Sequence, residues 1–329
     1  MLDFLAHYPL AYYIKTLSNP RKRACRIGLF LSRDANMILL KSKLDNIYWN
    51  GNLREINGAP SLDDTLQKNT EKLGNQIPSA YRKDIHREFG LNKTNEVSVI
   101  IDDPETYTTP YTVTQFDAAG DLEAALLKDP SSIITAWKNY NHNAEYIWEI
   151  LSTSGMHLLR DNTRLPKKVI LCGFPEERAI YTAKWCEEND QELVNLIPLI
   201  PAVLKWGIEN GPKEGFFLLI QAPNEIAISY IENGEIRIFS TQKTRDGFTP
   251  DEIQDVNELA DETGRGKEVP IWCWGILPGS TPHSRLATRY PTLKTLTPEE
   301  LRKIHPLSIK NEEHPLQEKE AWLLDNILK

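Results

Sequence analysis

The sequence predicts an α/β protein of two similar lobes, each built on a three-stranded β-meander, with β-α-β-α units in the chain between them. Three observations carry that expectation. Gly215 to Thr241 reads as three strands joined by two tight turns, Ile27 to Trp49 repeats the pattern, and Lys168 to Glu209 alternates strand and helix. Leu31 of the first meander falls opposite Ile220 of the second, and copies so far apart predict paired lobes rather than a short-period solenoid.

The second meander is the clearer copy. Phe216 to Ile220 is an unbroken apolar run, the pattern of a strand covered on both faces. Pro223-Asn224 breaks it, after which Ile226, Ile228 and Tyr230 alternate with Ala227, Ser229 and Ile231 at the period of a strand. Asn233-Gly234 is the pair that a two-residue type I′ turn favours, since both residues must take positive φ. Ile236, Ile238 and Phe239 predict the third strand. In the first copy, Ile27 to Ser32 is followed by the turn Arg33-Asp34-Ala35, a return from Met37 to Leu40 and a third strand at Ile47 to Trp49.

Ahead of the first meander, Met1 to Leu17 is rich in Leu and Tyr and is followed by Arg21, Lys22, Arg23 and Arg26. Two readings stay open for residues 1–26: a segment in peripheral contact with an anionic membrane surface, or a helix docked on the first lobe. Ser61 to Gly74 has a capping serine and a closing glycine and predicts a surface helix. Glu96 to Ile101 reads as a strand ended by Asp102-Asp103-Pro104, with Tyr111 to Phe116 as its hairpin partner. Asp121 to Lys128, Ser131 to Tyr140 and Asn143 to Leu159 read as helices, the last from the spacing of Tyr146, Ile147, Ile150 and Leu151.

Lys168 to Cys172 then predicts a strand and Gly173-Phe174-Pro175 a turn. Glu176 and Glu177 open a helix whose acidic first turn suits the helix dipole. Leu193 to Ile197 and Pro201 to Glu209 complete the strand-helix-strand-helix run, which implies parallel pairing by right-handed crossovers. Beyond the second meander, the acidic positions from Asp251 to Glu262 predict a solvated helix face. Val269 to Trp274 reads as a buried strand, and Thr295 to His305 as a short strand and helix. The charged tail from Glu312 to Lys329 keeps Trp322, Leu323, Leu324, Ile327 and Leu328 for docking one face.

At 329 residues the chain is long enough for two cores, and its 40% hydrophobic and 26% charged residues are those of a globular protein. A net charge of −8 argues against a nucleic-acid partner. Cys25, Cys172, Cys186 and Cys273 have neither metal-ligand spacing nor a disulfide pattern, so reduced, buried thiols in a cytoplasmic protein are expected. No stretch is suited to cross a membrane, and Asp3 stands where a secretory signal would be basic. Asp102-Asp103 at a strand end suits a turn before Pro104 better than a nuclease metal site, since the first strand has no carboxylate before Asp34. His157, His283 and His305 are scattered, and Ser154 lacks the strand-turn-helix setting of a nucleophile.

A meander followed by β-α-β-α, with the meander repeated, resembles the plan of the actin-like (RNase H-like) ATPase clan. Within it the chain is similar to the PilM family, the cytoplasmic actin-like component of type IV pilus assembly, of which the cytoplasmic domain of the type II secretion protein GspL is a relative. Val169 to Trp206 resembles the stretch before that family's second lobe, and Leu218 to Thr249 the meander that opens it. Val97 to Leu127 resembles its small inserted subdomain, and Pro270 to Ser280 falls where it has a glycine-rich adenosine loop.

The resemblance implies an Asp-x-Gly-x-Ser/Thr turn at each meander, the Asp for Mg²⁺ or its water and the turn for phosphate-facing N–H groups. This chain departs from that pattern. Phe30 and Ser32 stand where the first Asp and Gly would fall, and the second turn offers Gln221 and Pro223, without carboxylate or glycine. Gly275 and Gly279 are what remains of an adenosine loop. Between Thr241 and Pro270 there is room for one helix and a loop, whereas nucleotide-binding relatives place a larger helical subdomain there.

The expected organisation is therefore an N-terminal segment (1–23), a first lobe (24–213) with an inserted subdomain at about 97–128, a reduced second lobe (214–305) and a tail helix (306–329). The expected function is a cytoplasmic adaptor of a type IV pilus or type II secretion platform, inner-membrane associated through its partners. The resemblance implies a groove beside the inserted subdomain for the N-terminal peptide of a PilN-like membrane protein, with an assembly ATPase as a further partner. No catalytic residue, metal or cofactor is expected. The alternative is an active ATPase or kinase of the clan with an altered phosphate loop.

Overall fold

The computed structural model describes residues 25–32, 36–42, 47–52, 96–134, 145–188, 192–244, 246–307 and 319–328. The N-terminal segment, the helix expected at Ser61 to Gly74 and the turn Arg33-Asp34-Ala35 lie outside the described residues.

Two five-stranded sheets have the same strand order. The first meander is β1 (Cys25–Ser32), β2 (Asn36–Ser42) and β3 (Ile47–Asn52). β4 (Glu96–Asp102) pairs parallel to β1, and β9 (Glu192–Pro198) pairs parallel to β4. The second meander is β10 (Phe216–Ala222), β11 (Glu225–Glu232) and β12 (Glu235–Lys243), extended in parallel by β13 (Ile271–Trp274) and β14 (Lys294–Thr295). The orders are β3-β2-β1-β4-β9 and β12-β11-β10-β13-β14, so the duplication extends from the meander to the whole sheet. Asn233 and Gly234 have φ of 53° and 75°, as a type I′ turn requires.

β10 shows why an unbroken apolar run makes a central strand. Phe216, Leu218 and Ile220 face one core, while Phe217 and Leu219 face another that α4 (Pro250–Glu262) and α5 (Thr281–Arg289) cover with Ile253, Val256, Leu286 and Tyr290. The capping box of Thr249 and Glu252 starts α4. Its exposed positions include Asp251, Asp255, Glu258 and Glu262, the solvated face that the charge pattern predicts.

A third sheet lies in the chain between β4 and β9. It consists of β5 (Tyr107–Thr112), β6 (Tyr146–Ser152), β7 (Leu158–Leu159) and β8 (Lys168–Pro175), in the order β5-β8-β6-β7, with α1 (Ala119–Lys128) packed on Trp148, Ile150 and Leu171. Four expectations fail in this region. Asn143 to Leu159 is not a helix, because Tyr146, Trp148 and Ile150 alternate into the α1-facing core as β6. Tyr146, Ile147, Ile150 and Leu151 satisfy the helical period as well, and their aromatic and β-branched side chains suit a pleated surface.

Tyr111 to Phe116 does not pair with Glu96 to Ile101. β5 begins earlier and pairs antiparallel with β8, whereas β4 is buried on both faces between β1 and β9. The inserted unit therefore excludes 97–101, and β4 offers no free edge for a peptide. Gly173-Phe174-Pro175 is strand rather than turn, since Gly173 lets the indole of Trp148 close in: a Cβ there would lie 2.9 Å from its ring. Finally, β8 and β9 are not parallel neighbours. β8 is antiparallel to both its partners, and α2 (Glu176–Glu188) carries the chain from the inserted sheet back to the first lobe. Of the helix expected at Ser131 to Tyr140, the described part is a single 3₁₀ turn, Pro130–Ser132.

α3 (Leu199–Asn210), α6 (Pro298–Ile304) and α7 (Glu320–Ile327) complete the described α-helices. α7 is buried on every side and packs on the first-lobe sheet, where Gly28 makes room for it: a Cβ at Gly28 would lie 3.1 Å from Leu324 and Leu328. One apolar core is continuous through Phe30 and Ile100 of the first lobe, Leu151 and Ile170 of the inserted sheet, Leu218 and Trp272 of the second lobe, and Trp322 of α7. The lobes are fused by apolar contact.

Candidate functional site

The C-terminal end of β4 and the β10–β11 turn meet between the lobes, and charged side chains gather there. Lys243, at the end of β12, donates to Glu225 Oε2 at 2.9 Å and across the lobe boundary to the carbonyls of Thr106 (2.6 Å) and Pro104 (3.3 Å). Glu225 is 6% exposed. Burial pushes its carboxyl up to about 7, with Lys243 opposing and Asp102 adding. Burial likewise pushes Asp102 up to about 7, with Glu320 and Asp103 adding and Lys319 and Lys243 opposing.

Asp103 has a structural assignment. It is 3% exposed, lies 3.1 Å from Arg178 of α2, and accepts from the backbone N–H of Glu105 (2.8 Å) in the turn that the Asp-Pro pair predicts. Arg178 thus ties the chain leaving the first-lobe sheet to the helix that brings it back. From the C-terminal segment, the ammonium of Lys319 sits 4.9 Å above the Trp274 ring of β13, and the Trp322 indole N–H donates to the His305 carbonyl at 2.8 Å.

A second contact joins the lobes farther along β12. The β6–β7 turn meets the Asn233-Gly234 turn, with Ile236 N–H donating to Thr153 O at 2.9 Å and Gly155 N–H to Gly234 O at 3.3 Å. Between these ends the Thr241 hydroxyl donates to Thr108 O at 2.6 Å. The inserted sheet is stitched to the second lobe along β12.

The sequence singled out six positions as remnants of nucleotide loops. Phe30 is buried in the shared core and Ser32 pairs with Asp102 at the end of the parallel β1–β4 ladder. Ala222 pairs with Glu225, so Pro223-Asn224 is a two-residue turn with no slack to wrap a phosphate, and Pro223 has no N–H to give. The Gln221 side chain is covered by the backbone at Gly247, where a Cβ would lie 2.7 Å from its amide. Gly275, with φ of 81°, lies so close to β10 that a Cβ would run into the Gln221 carbonyl oxygen. Its lack of a side chain is explained by that packing. Gly279 stands apart, in the turn before α5, its N–H donating to His283 Nδ1 at 3.4 Å. Structure thus brings Gln221, Pro223 and Gly275 together.

No group of His, Cys, Asp or Glu among the described residues is arranged to hold a metal ion. Burial raises the thiols of Cys172, Cys186 and Cys273, which removes them as nucleophiles. No helix among the described residues is long and apolar enough to cross a membrane.

Sequence reasoning missed Glu225, Lys243, Lys319 and Glu320. One signal existed: Glu225 is a lone acid opening an apolar strand. Its partner was hidden. A straight register from Asn233-Gly234 sets Gln242 opposite Glu225, but a β-bulge at Arg237 shifts the ladder by one and sets Lys243 there.

No protein-family model matches the chain, and no curated protein matches it. Solved structures do. A chain of the PilM–PilN type IV pilus biogenesis complex superposes with a TM-score of 0.54 at 13% identity, over 94% of this chain and 98% of that one. A Bacteroides thetaiotaomicron protein with an actin-like ATPase fold and unknown function gives 0.47 at 11%, over 83% and 91%. The cytoplasmic domain of EpsL, an inner-membrane component of the type II secretion system of Vibrio cholerae, gives 0.44 at 10%, over 92% and 94%. With the repeated sheet order, the first of these likenesses shows that the chain has the two-lobed actin-like fold.

Proposed function

We propose that this protein is an actin-like scaffold of a type IV pilus or type II secretion inner-membrane platform that works by binding proteins and makes no use of ATP. It is cytoplasmic in this reading, held at the inner membrane through its partners. The observation that carries the second half is Lys243. Where an actin-like cleft would admit a triphosphate, its ammonium is committed to Glu225 and to two carbonyls across the lobe boundary. Glu225, Asp102 and Glu320 gather at the same place, and the negative charge they carry when ionised opposes a polyanion. The first half rests on the shared fold with the PilM–PilN complex. The partner it suggests is the N-terminal peptide of a PilN-like inner-membrane protein, bound beside the inserted sheet, with the assembly ATPase as a further partner.

The test has two arms on the purified full chain. Fluorescence anisotropy with labelled cytoplasmic peptides of candidate single-span membrane proteins should give saturable binding. Phosphate release from Mg²⁺·ATP should not exceed the buffer control. Turnover above that control would replace the scaffold with an ATPase or kinase, and failure of every pilus and secretion peptide would remove the pilus assignment.

A further inference from the structure

The outer face of the second lobe carries two helices of opposite charge, side by side. α4 and α5 both cover the core on one face of β10. They touch where the Tyr290 hydroxyl donates to Asn257 Oδ1 at 2.9 Å and where Arg289 donates to both Asp261 oxygens at 2.7 and 2.8 Å. Gly247 before α4 and Gly275 before α5 both meet Gln221, so the helices start at the same end of the sheet and run in the same direction. α4 exposes Asp251, Asp255, Glu258, Asp261 and Glu262 and contains no Lys or Arg. From Val269 to Pro298 the chain contains no Asp or Glu, and Arg285 and Lys294 are exposed there. Among the described residues the side chains of Asp251, Asp255, Glu262 and Arg285 have no ion pair or hydrogen bond. Acids alone would make an ordinary solvated face. The cationic helix beside them changes what the face can bind.

We propose that this face binds a second copy of the chain, the acidic α4 of each copy lying against the basic α5 of the other. A uniformly basic partner that satisfied α4 would be repelled by α5, and an acidic partner by α4. The surface that fits carries both signs side by side with left and right exchanged, and a two-fold axis lying in the contact plane along the helices generates it from this same face. That axis keeps heights along the helices. Since Arg289 is level with Asp261, Arg285 lies one turn nearer the start of α5 and comes opposite the turn of Asp255 and Glu258 in the other copy. The net charge of −8 opposes self-association at long range, but salt screens it beyond about 8 Å while the stripes are in contact. Exposed ion pairs are individually weak, so the dimer is a weak one that salt dissociates. The proposal rests on these two helices and not on the scaffold assignment, so a nucleotide or peptide result leaves it untouched.

Analytical ultracentrifugation of the full chain tests this. The sedimentation coefficient should rise toward that of a dimer as the protein is concentrated to about 0.3 mM in about 0.1 M salt. It should return to that of the monomer in about 1 M salt. Asp255→Lys and Arg285→Glu, both at exposed positions, each set like charges against one another and should leave monomers at the concentration where the parent is dimeric. Mixed in equal amounts, the two variants should associate again. In the mixed pair the reversed α4 of one copy meets the reversed α5 of the other, and the second contact is the parental one. A parent chain that stays monomeric at about 0.3 mM would overturn the proposal. So would self-association that survives about 1 M salt or is unchanged in either variant. An equal mixture that stays monomeric, although both variants keep the parent's circular dichroism spectrum, would overturn it as well. Capture of labelled oligolysine by a parent chain that remains monomeric would give the face to a basic partner instead.

Discussion

In the first lobe the fourth strand of the sheet, β4, runs out through Asp102-Asp103-Pro104 into the inserted sheet. In the second lobe the matching strand, β13, ends at Trp274 and turns at once on Gly275, pressed against Gln221. The sheets are otherwise alike in order, and each carries a bulge between the second and third strands of its meander. The difference is an arm that leaves the first lobe and lies along β12 of the second. A duplicated fold whose lobes could open about a ligand here has its lobes joined by its own chain, through the shared apolar core, the β12 seam and α7.

The largest way to break that arrangement is to remove the indole of Trp322, which is buried in the shared core on the C-terminal helix. Trp322→Ala should cost about 3–5 kcal/mol in urea unfolding. A loss under about 1 kcal/mol would mean that α7 is not part of the core.

Next, the two glycines beneath the lobes sharpen the comparison. Gly275→Ala drives a Cβ into backbone at positive φ and should cost about 3 kcal/mol. Gly28→Ala meets only the side chains of Leu324 and Leu328 and should cost about 1–2 kcal/mol. Equal losses would contradict the view that rigid backbone contact confines the second lobe more tightly than the first.

A smaller effect concerns pH. The carboxyls of Asp102, Glu225, Glu123 and Glu149 rise from about 4 in the unfolded chain to about 7 in the fold. Folding therefore binds protons between those values. The associated stability is fully present below about pH 4 and is lost as pH rises through about 7. Melting should accordingly occur at a higher temperature at pH 5.5 than at pH 8, with a shallower dependence in Asp102→Asn. A higher midpoint at pH 8 would reverse the sign and remove burial as the cause.

The smallest effect expected is at the β11–β12 turn. Gly234 has positive φ, and the Cβ of an alanine there would sit about one van der Waals contact from Ile208, so Gly234→Ala should cost about 1 kcal/mol.

Both meanders were legible because period-two patterning, Asn233-Gly234 and the apolar run at Phe216 are local signals. Sheet membership was not local. Nothing within Glu96 to Phe116 says that β4 pairs with β1, seventy residues earlier, while β5 pairs with β8, about sixty residues later. The sequence of β6 fits two periods, and packing against α1 decided between them. At the β10–β11 turn, the absence of a carboxylate and a glycine at Gln221 and Pro223 is a plain feature of the sequence. The Lys243–Glu225 pair beside that turn could not be read in the same way, since Lys243 reaches Glu225 only because one bulge shifts the strand by a residue.

The central proposal is that the chain's own side chains occupy the place where an actin-like protein would hold ATP. Each missing phosphate contact should cost about 1–3 kcal/mol, and a millimolar dissociation constant corresponds to only about 4 kcal/mol in all. Isothermal titration of the full chain with ATP and Mg²⁺ measures this directly. The account predicts no saturable heat below millimolar nucleotide. A micromolar dissociation constant with one-to-one stoichiometry would contradict it.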